Sequence, residues 1–266
     1  MTSDRESQIL SDISQSLNGV EGHLSDKEIH FLYYAAAHPT TTGEILEIGS
    51  FKGKSTVVLA KSAASAGTPI IHSVDPLTSP SETDPDLGDS LSCETAFFEN
   101  IKRAGVSEFV DFHQDFSHNY AKNWTSPIRL LWIDGDHTYR GAKRDFDSFS
   151  PYLSNGAIIA FHDVLHRFDG PIRVFIEDVL FSNSFGAAGC CGSIGWAQYC
   201  DDPSLSSNHL ETKHRLYSSL SRILPYAVYK TPLHGLDKYF YKIKRARIPH
   251  GPMTHEKWTQ IVNFFV

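Results

Sequence analysis

Nowhere do the 266 residues approach the roughly 20 consecutive apolar residues of a membrane span, so no spanning segment is expected. The first eight residues are polar and lack a basic stretch followed by an apolar one. From that pattern no secretory leader is expected, and the protein is expected to be cytoplasmic. Cysteine is scarce: Cys93, Cys190, Cys191 and Cys200 fit a reducing compartment, and none has zinc-ribbon spacing. Adjacent cysteines do not readily bond to each other, so Cys190 and Cys191 are expected to act as small packing residues. No internal repeat is evident. Positive charge is not in surplus either; a net charge of -7 argues against general nucleic-acid binding.

That charge is uneven. From Glu211 onward ten Lys/Arg face three Asp/Glu, which puts a +7 tail on a -14 body. A basic tail can serve an anionic substrate, nucleic acid or a membrane surface. The reading preferred here is a solvated helical face docked on the acidic body, because no basic block is longer than the run from Lys242 to Arg247.

The segment Glu44 to Val57 runs from an apolar strand through an acidic residue into a glycine turn and on into a helix. Gly49 and Gly53 permit a tight bend and close ligand approach, Ser55 or Thr56 can cap the helix, and Glu47 lies at the strand's carboxyl end. Two nucleotide loops are missing a part. A Walker A loop needs four residues between its first glycine and Gly-Lys-Ser, and only Ser50, Phe51 and Lys52 are present. A dinucleotide fingerprint needs glycine where Phe51 stands. What remains is Glu-x-Gly-x-x-x-Gly-x-Ser, which is similar to the first motif of class I S-adenosylmethionine-dependent methyltransferases; the alternative is a glycine turn that only joins strand to helix.

The rest of the chain alternates strands and helices. Strands are expected at 44–49, 69–75, 108–113, 128–134 and 156–161, with helices near 54–66, 93–104, 117–123 and 139–150. A further helix over 25–37 opens with a capping box, Ser25 and Glu28, and closes before Pro39. Near-continuous apolar strands between helices predict an α/β doubly wound, Rossmann-like sheet with helices on both faces and ligands at the strands' carboxyl ends. Residues 76–92, rich in Ser, Pro and Asp, form the longest core loop, a candidate lid. Past residue 200 the pattern loosens around Pro225, Pro232, Pro249 and Pro252.

Each strand end offers chemistry. Asp75 falls where doubly wound folds hold an acidic residue to a ribose, one carboxylate accepting from both hydroxyls. Asp115 and Ser117 follow strand three, where they can face an adenine, cap the next helix, or both. Strand four runs into Ile133-Asp134-Gly135-Asp136-His137 and strand five into Phe161-His162-Asp163. Two carboxylates and an imidazole from adjacent strand ends suit a hard or borderline divalent cation, which would also relieve their mutual repulsion. The competing reading has Asp134 and Asp163 capping loops and His162 satisfying a carbonyl.

Together, Leu-Glu-Ile-Gly-Ser-Phe-Lys-Gly-Lys-Ser-Thr, Ser-Val-Asp-Pro, Ile-Asp-Gly-Asp-His-Thr-Tyr and Phe-His-Asp-Val resemble the metal-dependent class I methyltransferases that include macrolide sugar O-methyltransferases and cephalosporin-hydroxylase-like proteins. The resemblance covers about residues 20–200 and is more distant to catechol O-methyltransferase. It implies S-adenosylmethionine bound across Glu47, Gly49, Ser50, Gly53, Ser55, Asp75, Asp115, Ser117 and Asp134. It also implies a metal, magnesium or manganese, on Asp134, His162 and Asp163, with His137 as general base. Relatives commonly carry Asp or Glu at the position of His162, and Asn or Asp at that of Asp163. His137, whose ordinary pKa is near neutral, can instead cap a helix or support Asp136. The expected organisation is a helical lead-in (1–40), a methyltransferase domain (41–200) and a basic, aromatic cap (201–266). The expected function is metal-assisted O-methylation of a small hydroxylated molecule, with homo-oligomers allowed. Metal-free methyl transfer and a non-catalytic cofactor-binding protein are the alternatives.

Overall fold

The computed structural model describes residues 3–68, 70–78, 90–228 and 232–262. Seven strands, β1 (Glu44–Ile48), β2 (Ile71–Val74), β3 (Val110–His113), β4 (Ile128–Ile133), β5 (Leu153–Phe161), β6 (Phe185–Cys191) and β7 (Ile194–Tyr199), form one sheet in the order β3-β2-β1-β4-β5-β7-β6. The pairings from β3 to β5 are all parallel; β7 runs antiparallel to both its neighbours. The expected doubly wound sheet is therefore present, enlarged by a hairpin that sequence patterning did not separate out.

Helices α1 (Ser3–Ser16), α2 (Asp26–Ala37), α3 (Lys54–Ser65), α4 (Ser90–Arg103), α5 (Ser117–Tyr120), α6 (Tyr139–Phe149) and α7 (Asp169–Val174) cover the sheet. Strand alternation splits its apolar side chains between two cores. Leu46, Leu131, Ile159 and Phe161 join Phe149 and Phe175 on one face. Ile45, Leu130, Trp132 and Ile158 join Val58 and Phe31 on the other. Burial on both faces explains the continuous apolar runs of the central strands.

The C-terminal part is more ordered than its prolines suggest. It folds as α8 (Pro203–Ser207), α9 (Leu210–Leu220), α10 (Leu224–Val228), α11 (Gly235–Ala246) and α12 (His255–Val262). Trp258 of α12 is buried against Tyr34 and Phe31 of α2 and donates its indole N–H to the His38 carbonyl at 3.1 Å. Most of the candidate lid, 79–89, lies outside the described residues. Among the described residues no helix is long and apolar enough to cross a membrane, and none of the four cysteines forms a disulfide.

Candidate active site

Strand order reverses between β1 and β4, and doubly wound sheets open a ligand crevice at such a switch point. A cavity of about 1290 Å³ lies there, lined by the ends of β1, β2, β4 and β5. A site for one drug-sized ligand measures roughly 300–1,000 Å³. The cavity therefore has room for a cofactor and an acceptor side by side.

Backbone geometry builds the floor. Gly49 has φ +88°, and a Cβ there would lie 2.2 Å from the Asp134 carbonyl oxygen, so only glycine lets the β1 turn meet the β4 turn. Phe51 also holds a positive φ, +46°. The turn is tied down by Asp75: its Oδ2 accepts the N–H groups of Ser50 (2.6 Å) and Phe51 (2.8 Å), and its Oδ1 accepts that of Leu77 (2.7 Å). A carboxylate has about four acceptor positions, so three backbone donors leave room for one more. Burial pushes the Asp75 pKa up in spite of these donors.

Glu47 does not line the cavity. It is fully buried behind the turn, where Oε2 accepts from Thr56 Oγ1 (2.6 Å) and Ser73 Oγ (2.7 Å), and Ser73 in turn meets Ser50 Oγ at 2.5 Å. Burial raises its pKa to about 7. Gly53, with φ +83°, precedes α3 beneath the turn and is likewise absent from the lining. Asp115 is exposed and outside the lining, accepting from the Phe116 N–H (2.7 Å) and Asn119 Nδ2 (3.0 Å) beside α5. Gly49, Ser50, Ser55, Asp75, Ser117 and Asp134 do line the cavity.

The other wall gathers the remaining candidates. His162 Nδ1 lies 3.0 Å from Asp134 Oδ1 and 3.4 Å from Asp163 Oδ1. His137 Nε2 lies 3.5 Å from Asp134 Oδ1 and 3.6 Å from Asp163 Oδ2, its ring stacked on Phe168 at 4.3 Å. Burial opposes charge on His162, but Asp134 and Asp163 outweigh it and hold the imidazole's pKa well above its ordinary value. The same contacts with His162 and His137 hold the Asp134 pKa at about 2 against burial. Asp163 has φ +59°, rare for a residue with a side chain and typical of functional strand ends.

Donor chemistry at this cluster suits a divalent cation: two carboxylates and one imidazole nitrogen face each other. The carboxylates are bridged by imidazole nitrogens. The imidazole is within 3.0 and 3.4 Å of the two carboxylates, which would have to draw together to share an ion with it.

Several residues escaped sequence reasoning. Glu28, recognised only as a cap, does accept the Ser25 N–H at 2.7 Å, but its Oε1 also accepts from the Ser193 N–H (2.6 Å) and hydroxyl (2.7 Å) and lies 3.8 Å from His162 Nε2. Although burial works against it, the His162 contact and these donors hold its pKa far below the usual range. Asp145 of α6, buried in the cavity wall, accepts a hydrogen bond from Ser117 Oγ, and burial raises its pKa to about 7. A lone carboxylate on an amphipathic helix carried no signal. Arg167, Lys242 and Arg245 also reach the lining, so part of the basic tail faces the cavity and is not only solvated.

Residues 46–164 match the family described as a methyltransferase domain. Solved structures with the same fold include cofactor-bound Rv0187 from MTB (TM-score 0.54, 16% identity, covering 73% of this chain and 91% of that one). The O-methyltransferase from Bacillus cereus in complex with SAH matches with TM-score 0.51 and 19% identity over 72% of this chain and 90% of its own. TomG from Streptomyces achromogenes, an O-methyltransferase of tomaymycin synthesis in complex with SAM, gives 0.52 and 16% over 72% and 89%. Residues 46–164 are thus similar to a methyltransferase domain, and the sheet is that of the doubly wound fold shared with these solved structures.

Proposed function

We propose that the protein transfers a methyl group from S-adenosylmethionine to a hydroxyl oxygen of a small polar molecule. The observation that carries this reading is the convergence of Asp134, His137, His162 and Asp163 on one wall of a cavity whose other wall is the glycine turn. In this reading Gly49, Ser50, Asp75 and Ser117 bind the cofactor, with Asp75 contributing its remaining acceptor position to the ribose. O-methyl transfer is also the activity for which the Bacillus cereus and Streptomyces achromogenes proteins are named.

Methyl transfer is an in-line displacement in which nucleophile and sulfonium lose opposite charge, so the enzyme's main task is alignment. His137 accepts the hydroxyl proton at Nε2, and Phe168 keeps its ring in plane for that transfer. Asp134, Asp163 and His162 would hold a divalent cation, which when bound would supply Lewis acidity to lower the pKa of an acceptor hydroxyl. Arg167, Lys242 and Arg245 on the lining suit an acceptor with anionic substituents. A second reading dispenses with the cation. It is favoured by the high pKa of His162, whose imidazolium already sits between the two carboxylates.

The test is transfer of labelled methyl from S-adenosylmethionine to a panel of polyhydroxylated acceptors, with magnesium or with excess chelator. Label on an acceptor oxygen, lost with chelator and in Asp163→Ala, supports the metal-assisted reaction. Full transfer in chelator leaves the imidazolium reading, and cofactor binding with no transfer to any acceptor overturns both.

A further inference from the structure

The outer edge of the sheet carries a second cluster, away from the glycine turn. His72 is in β2; Asp111 and His113 are in β3, the edge strand. The register pairs His72 with Asp111 and Val74 with His113, so all three side chains leave the same face. Asp111 Oδ2 lies 3.1 Å from His72 Nδ1 and 3.2 Å from His113 Nε2, and one ligand atom from each residue falls within 4.8 Å of the others. Tetrahedral zinc bonds of about 2.0–2.1 Å separate neighbouring donor atoms by roughly 3.4 Å. These spacings are those of a coordination shell.

Three further observations point to an ion rather than a plain hydrogen-bonded trio. His113 Nε2 is buried and its contact with Asp111 lacks hydrogen-bond geometry, which leaves an orphaned ring nitrogen aimed into the cluster. Glu44 Oε2 lies 3.6 Å from His72 Nε2, on the far side of that ring. A carboxylate beside the outer ring nitrogen is the usual partner of a ligating histidine. Finally, both rings are packed: the Tyr120 ring lies 4.2 Å from that of His113, its hydroxyl 3.5 Å from His72 Nδ1, and Trp124 meets His72 edge-on at 5.0 Å. Two imidazoles and one carboxylate suit a borderline ion such as zinc; magnesium and calcium prefer oxygen throughout.

We propose that His72, Asp111 and His113 form a structural zinc site, with Glu44 bracing His72 and the Tyr120 hydroxyl or solvent closing the shell. The ion would clip the edge strand to its neighbour. Its place in the fold matters for the cofactor cavity, because the His113 carbonyl accepts the N–H groups of both Asp75 (3.2 Å) and Asp115 (2.9 Å).

The test is zinc content of the purified full chain after loading with zinc sulfate and dialysis into zinc-free buffer, with circular dichroism as a check on folding. Asp163→Ala, which disables the cavity cluster, is expected to keep one equivalent, held at the sheet edge, and the wild type to keep that equivalent together with any zinc in the cavity cluster. Asp111→Asn and His113→Ala are expected to lose it. The Asp111 side chain is 50% exposed, so the asparagine variant tests coordination without a packing change. Glu44→Gln should weaken zinc affinity by about 10- to 100-fold. A zinc content in Asp111→Asn and His113→Ala equal to that of the wild type, zinc lost entirely in Asp163→Ala, or no zinc retained by the wild type overturns the proposal.

Discussion

Replacing Gly49 by alanine separates two costs that glycine turns usually mix. Gly53 supplies the comparison, since both residues have φ near +85°, at +88° and +83°. Forcing an alanine into that region costs on the order of 1–2 kcal/mol. Part of this is offset by the reduced freedom of the unfolded chain, about 0.4–1 kcal/mol. At Gly53 the new methyl would meet only side chains, the Phe97 ring at 3.2 Å and Ile101 Cγ2 at 3.5 Å, and these can shift. Gly53→Ala should therefore cost about 1 kcal/mol. At Gly49 the methyl would lie 2.2 Å from the Asp134 carbonyl oxygen and 2.5 Å from its carbon, so backbone has to move by about 1 Å to restore contact distance. That movement strains the Gly49 N–H to Val74 carbonyl bond (3.0 Å) and the Asp134 N–H to Ile48 carbonyl bond (2.8 Å). Each buried bond lost costs about 1–3 kcal/mol. Gly49→Ala should thus cost roughly 3–5 kcal/mol and, by displacing Asp134, on the order of a hundredfold in turnover. Urea unfolding and S-adenosylhomocysteine calorimetry on both variants check this. A Gly49→Ala protein no less stable than Gly53→Ala would refute the claim that the β1 and β4 turns are locked together.

Further outcomes follow from the two clusters. His137→Ala should lower the methyl-transfer rate by roughly two to four orders of magnitude with cofactor affinity retained, and should remove the acid limb of the rate profile; an unaltered acid limb takes His137 out of the mechanism. Glu47 gives a pH prediction: its pKa rises on folding from 4.5 to about 7, so the folded state holds the proton more tightly. Its contribution to stability is complete below pH 4.5 and is lost as pH rises through 7, by roughly 3 kcal/mol in all. Glu47→Gln should flatten that part of the unfolding profile between pH 5 and 8; an unchanged slope shows that the burial of this carboxyl is relieved some other way.

The sequence disclosed most where one physical demand acted on a run of residues. Strands β1, β4 and β5 are buried on both faces and read as apolar runs; the turn at Gly49 needs glycine, and the Asp134 and Asp163 strand ends carry acid beside histidine. It disclosed least where small residues answer to distant neighbours. In β6 and β7, Gly189 lies against Trp196 and Gly195 against Val164 and Phe175, so both strands are Gly/Ala-rich and show no alternation. Glu28 escaped for a similar reason: its capping box is local, but its contacts with Ser193 and His162 bridge more than 130 residues. In the tail, Lys213 had the look of a solvated charge, yet its side chain is buried and donates to the carbonyls of Ser182 (2.6 Å) and Phe185 (2.8 Å).

Calorimetric titration with S-adenosylhomocysteine bears most directly on the central claim, that the cavity beyond β1, β2 and β4 is the cofactor site. One molecule should bind per chain, and Asp75→Ala should weaken binding by about tenfold or more, since the variant loses both an acceptor for the ligand and the anchor of the Ser50 and Phe51 amides. Unchanged affinity in Asp75→Ala, or no binding by the wild type, would contradict the account.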